Sequence, residues 1–311
     1  MTRSGFPSTA VPSEACPTVW RNEALAPKPK VVHGDDLLYR FLLDLFSDDD
    51  AAYGHVPQLM LVSMGVWLPL DAYAQFPVIL PWVVRDPTCR AGTGRPDQWG
   101  APDPQGYFRD DNSLVKALPR SLAIRASRQP HLNGRRMATE FVAAHVWRNC
   151  TDAGPLASRR PLLNSFVPNL VWLPGQVAKL TDREGGLVQR TLQSISWQVY
   201  RSAAVRSDLK PIVEDAWALL PEPAPLPRPV DPELLNWFVT NERFLAMRRV
   251  RLDSVRHALD DIAAGRPLDS KVVSRRYTDG LPDVTAEARD SLARHLERFT
   301  SHRSESTEPP S

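Results

Sequence analysis

The residue types with the widest chemical range stand in the middle third of the chain. The apolar run Phe141-Val142-Ala143-Ala144 leads into His145, Asn169 follows 24 positions later in Asn169-Leu170-Val171, and Asp182 and Glu184 come after a predicted helix that begins near Gly175. Imidazole is the side chain whose ordinary pKa lies closest to neutral, so His145, oriented by a backbone or amide acceptor, could act as a general base on an attacking water. Each residue also has an architectural reading. A histidine on an apolar run is often a satisfied core residue, Asn169 after Pro168 can close an Asx turn, and Asp182 can cap a helix starting near Gly185.

A second polar cluster is Arg109-Asp110-Asp111-Asn112-Ser113. Adjacent aspartates point to opposite faces of a strand and lie about 100° apart on a helix, which disfavours a shared metal and favours capping before Leu114. Between Arg109 and Arg148 the chain carries eight basic side chains against three acidic ones, although its formal net charge is only +2. This local excess, with Arg135, Arg136 and Arg148 nearest His145 and Lys179 beyond it, is suited to phosphate contacts. No Walker-type glycine loop, GxSxG elbow, HExxH helix or paired CxxC occurs, which argues against P-loop nucleotide hydrolases, α/β-hydrolases and zinc enzymes.

The elements that must position these residues read as a mixed set. Thr139–Val146 suits a strand and Asn169–Leu173 follows a Gly- and Pro-containing loop. Apolar residues at spacings of three and four predict helices over Asp35–Phe46, Val188–Val199 and Leu209–Leu220, a long helix carrying Phe238, Leu245, Leu252, Val255, Leu259 and Ile262, and a last one around Leu292. Leu59–Val84, interrupted by Pro69, Pro77 and Pro81, suits short strands or buried irregular segments. The fold class expected is α+β, predominantly helical. The expected organisation is an arm over 1–32, a mixed α+β region over 33–220, a polyproline connector over 221–230, a helical region over 231–300 and a tail over 301–311.

The order of strand with histidine, loop, Asn-Leu-Val and helix resembles the HNH, or ββα-metal, nucleases over about Glu140 to Gln189, with the unit itself at about 139–190. The resemblance implies a small central ββα-metal-like unit, His145 as the general base, Asn169 as the brace of the loop, and a divalent ion, Mg²⁺ or Mn²⁺, held with the help of Asp182. It further implies hydrolysis of DNA phosphodiesters, with restriction or phage defence as the setting and Arg135, Arg136, Arg148 and Lys179 on the nucleic acid. The chain departs from the pattern at Ala144, where family members place a ligand, and has no histidine or asparagine on the following helix. The alternative is a non-catalytic protein-interaction or DNA-binding regulatory protein, with a protein partner taken by the C-terminal helices.

Three widely separated cysteines, Cys16, Cys89 and Cys150, offer no disulfide framework and point to a reducing compartment. The N-terminal residues lack the apolar stretch of a signal peptide, and the uncharged run Ala51–Leu70 is broken by Pro57 and Pro69 well short of the roughly 20 residues a membrane span requires. A cytoplasmic protein that does not enter the membrane is the expectation.

Overall fold

Two sheets, of five and two strands, anchor the fold, and helices pack around them. The computed structural model describes residues 50–90, 96–127, 130–138, 140–268 and 272–300. The arm over 1–32, the helix expected at Asp35–Phe46 and the tail over 301–311 lie outside the described residues. In chain order, α1 (Asp50–Met64) leads into β1 (Val66–Trp67), α2 (Leu70–Gln75), β2 (Val83–Arg85) and β3 (Phe108–Asp110). The short α3 (Ser113–Ala117), β4 (Ala123–Ala126) and β5 (Phe141–His145) follow, then α4 (Pro161–Asn164), β6 (Leu170–Pro174) and α5 (Gly175–Leu180). The C-terminal part comprises α6 (Leu187–Tyr200), α7 (Lys210–Ala218), β7 (Asn236–Val239), α8 (Glu242–Ala263), α9 (Arg275–Gly280) and α10 (Ala286–Glu297).

The larger sheet has the order β4-β7-β1-β6-β5 and is mixed: β1 and β7 run parallel and the other pairs antiparallel. Its middle strands are buried on both faces, so Leu170–Leu173 and Asn236–Phe238 read as continuous rather than alternating runs. The second sheet pairs β2 with β3 in parallel, Val83 beside Phe108.

Two expectations need correcting. Leu59–Met64, read as irregular or extended, completes α1; Leu61 and Val62 are buried, and the prolines that argued against a helix, Pro69, Pro77 and Pro81, all fall after its end. The exit is tight at Gly65, where a Cβ would stand 2.6 Å from the Leu61 carbonyl oxygen. Phe238 belongs to β7 and not to the long helix, which begins at Glu242 after Asn241, whose side chain accepts from the Phe244 N–H at 2.8 Å. The region beyond the prolines therefore contributes a strand between β4 and β1 before it turns helical.

The proline run itself is fastened to the body. Ser194 Oγ donates to the Ala224 carbonyl at 2.7 Å, and one turn on, Gln198 Nε2 donates to the Val230 carbonyl at 2.6 Å. These contacts give α6 a polar stripe beside its apolar one of Val188, Leu192, Ile195 and Val199.

An aromatic cluster ties the helices to the site region. Trp217 of α7 meets Trp147, Phe166 and Trp197 edge-on at 5.0–5.7 Å between centroids, and its Nε1 donates to the Tyr73 hydroxyl at 3.0 Å. Such pairs each add about 0.5–1.5 kcal/mol beyond area burial. Trp217→Ala is therefore expected to lower stability by about 3–5 kcal/mol, read from the urea midpoint; a change below about 1 kcal/mol would show that the cluster is not a structural hub.

Candidate nucleic-acid interface

β5 and β6 pair in the register His145 beside Leu170 and Ala143 beside Trp172, and the chain passes from β6 straight into α5. At that junction the Gly175 N–H donates to the Glu140 carbonyl at 3.0 Å, and a Cβ on Gly175 would press to 3.3 Å on the same oxygen. The two strands and the helix are thus in contact, although α4 lies between β5 and β6 in the chain, with His145 at the far end of β5.

Asn169 is fully buried and both ends of its amide are engaged. Its Oδ1 accepts from the Trp147 N–H at 2.7 Å and its Nδ2 donates to the Leu163 carbonyl at 3.0 Å. It clips the start of the β5–β6 connection to its end and has no surface for a substrate. Asn164 plays a part that its sequence context did not announce. Its backbone carbonyl lies 2.9 Å from His145 Nε2, and its Nδ2 donates to the Val83 carbonyl of β2 at 3.2 Å. A carbonyl only accepts, so Nε2 carries the hydrogen and Nδ1 keeps the lone pair in neutral His145.

His145 lines a cleft of about 1250 Å³. Seven cationic side chains line it too, Arg85, Arg90, Lys116, Arg120, Arg148, Arg159 and Lys179, against two carboxylates, Asp111 and Asp182. Arg90 pairs with Asp111 at 3.4 Å, and Arg148 donates to the backbone carbonyl of Asp182 at 3.1 Å. Arg85, Lys116, Arg120, Arg148, Arg159 and Lys179 form no ion pair among the described residues. Arg85, at the end of β2, has its Nε buried without a hydrogen-bond acceptor, and burial together with Arg90 pulls its guanidinium below the usual value. Burial, and then the charge of Arg85, pushes His145 down to about 4, against the hydrogen bond to Asn164. At neutral pH the imidazole is uncharged.

The edge strand β5 forms part of the cleft wall through Val142, Ala143, Ala144 and His145. Asn112, in the left-handed region at φ 88°, donates from Nδ2 to the Ala143 carbonyl at 2.9 Å and so closes α3 against this edge. The neighbouring Asp110 is a cap: its carboxylate accepts from the Ser113 and Leu114 N–H groups and the Ser113 hydroxyl, as the sequence suggested.

Of the residues singled out from sequence, His145, Asp182, Arg148 and Lys179 meet in this cleft, and Asn169 lies behind it. Arg135 and Arg136 do not line the cleft; both are exposed in the segment that folds back on β4, where Arg136 bridges to Ala123. Asp182 does not cap the next helix, whose first residues follow Gly186. Arg85, Arg90 and Arg159 were not marked by any motif, and Asn112 was noted only within the polar cluster read as a helix cap. For Arg85 the available signal was an arginine ending an apolar strand, Val83-Val84-Arg85.

A divalent ion does not fit this donor set well. Among the described residues no three His, Cys, Asp or Glu side chains converge, one of the two cleft carboxylates is paired with Arg90, and His145 Nε2 is already committed. No described helix is long and apolar enough to cross a membrane. Against family models, curated proteins and solved structures, the chain finds no match.

The depressed histidines have a consequence for stability. His145 and His295, the latter also held near 4 by burial, bind protons more weakly in the folded chain than their ordinary value of 6.5. Their contribution is therefore complete above pH 6.5 and is lost as pH falls towards 4. The urea midpoint is expected to drop over that window, and His145→Gln to flatten part of the drop; an NMR titration placing the His145 imidazole above about pH 6 would contradict the burial argument.

Proposed function

We propose that the chain is a nucleic-acid-binding protein that takes the phosphodiester backbone of DNA into the basic cleft beside β5 and α5. The observation that carries this reading is the convergence of seven cations on one cleft, six of them without an ion-pair partner among the described residues. Backbone phosphates are the polyanion that such spacing accommodates, and each neutralised phosphate releases condensed counterions. The strand–strand–helix arrangement around His145 supports the likeness to the HNH unit on which a DNA ligand was expected.

The expected result is DNA binding that weakens steeply with salt and survives chelation of divalent ions. The double substitution Arg159→Glu, Lys179→Glu should reduce affinity at least tenfold and lessen the slope of log K against log salt by about 1 for each phosphate no longer neutralised. Arg135→Glu with Arg136→Glu, outside the cleft, should change neither by comparable amounts. Equal reductions from both pairs in fluorescence anisotropy would move the interface off the cleft.

A second reading adds hydrolysis of the bound phosphodiester, and the fixed orientation of His145 on the cleft wall favours it. With Nε2–H held by Asn164, the Nδ1 lone pair is the basic site, and a phosphate nearby would raise its affinity for a proton by offsetting Arg85. Asn169 would act as a positioning residue. His145→Gln, which preserves volume and hydrogen bonding, should then reduce plasmid cleavage by about 10²–10⁴-fold while leaving DNA affinity within about threefold. Wild-type protein that binds but cleaves nothing, with or without added Mg²⁺ or Mn²⁺, would confine the function to binding.

A further inference from the structure

Arg248, on α8, is 4% exposed, and its Nε and Nη1 are buried without an acceptor among the described residues. The charge that acts on it is another cation, Arg251, and its guanidinium carbon stands 5.2 Å from the centre of the Trp82 ring. An arginine cannot escape burial by giving up its proton near neutral pH, so an unpaired one in an apolar setting is strongly disfavoured unless an anion joins it. The Trp82 face offsets only part of this, because a ring quadrupole is far weaker than a counter-charge.

Arg248 lines a pocket with Phe76, Ile79, Leu209, Leu252 and Phe299, and none of the described residues lining it is acidic. Its volume is about 10 Å³, enough for the centre of one water-sized particle, and its walls are mainly apolar. A carboxylate or phosphate is too large for that space. We propose that this pocket is a binding site for one small monovalent anion of chloride size, neutralising Arg248 and fastening α8 to the 75–81 segment and to Phe299. A weakly hydrated halide loses little on entering apolar walls and gains the charge of the guanidinium.

The site is independent of the basic cleft, and its salt response has the opposite sign: chloride would strengthen the fold while weakening the hold on DNA. The test is thermal unfolding of the full chain at constant ionic strength as chloride replaces gluconate, an anion too large for the pocket. The midpoint should rise by about 2–4 °C and saturate, and Arg248→Met should abolish the rise. A rise that persists unchanged in Arg248→Met would overturn the proposal. If Arg248→Met does not fold, crystals of wild-type protein grown with bromide decide the matter: an anomalous peak beside the Arg248 guanidinium supports the site, and a water there without anomalous signal refutes it.

Discussion

One buried amide holds the site together. Asn169 joins the N–H of Trp147 to the carbonyl of Leu163, two backbone groups at opposite ends of a long connection, and each would be orphaned in the interior without it. The residue before Trp147 continues β5 from His145, and the residue after Leu163 is Asn164, whose carbonyl receives the imidazole. The amide therefore fixes both partners of the histidine's hydrogen bond at once. The connection between them carries Arg148 and Arg159 into the cleft, and Trp147 passes the constraint on to Trp217 and the helical side of the molecule.

Seven cations on one cleft repel each other, and the fold tolerates this because most of them keep their heads in water, where the repulsion is screened. The exception is Arg85, partly buried at the end of a strand, whose charge adds to burial, the larger cause, in making the imidazole of His145 resist protonation. An anionic ligand would relax both effects together. The cleft is in this sense a surface whose electrostatics are incomplete without a counter-charge, in contrast to the paired arginines elsewhere, such as Arg160 with Asp152 or Arg206 with Asp208.

What could be read from the residues depended on how many faces an element buries. α6, α7 and α10 each bury one stripe, so spacings of three and four betrayed them, and β5 was visible because an apolar run stopped at a histidine. β7 was hidden. Asn236-Trp237-Phe238 is buried on both faces, shows no alternation, and merges with the apolar positions of α8 beyond it. His145, Asp182, Arg148 and Lys179 were found together because they share one contiguous segment. Arg85 ends β2, Arg90 follows it and Asn112 precedes α3, and the pairing of β2 with β3 brings them together.

The place of β7 also bears on how the protein is made. β4, β1, β6 and β5 are all synthesised before residue 175, yet β4 touches the rest of the sheet only through β7, which β1 and β4 flank. A chain emerging from the ribosome carries an unfilled slot between two finished strands until Val239 has cleared the exit tunnel. During that interval the open edges of β1 and β4 are templates for a strand from another molecule. The prolines before β7 cannot continue a helix, so the strand is reached along an extended segment.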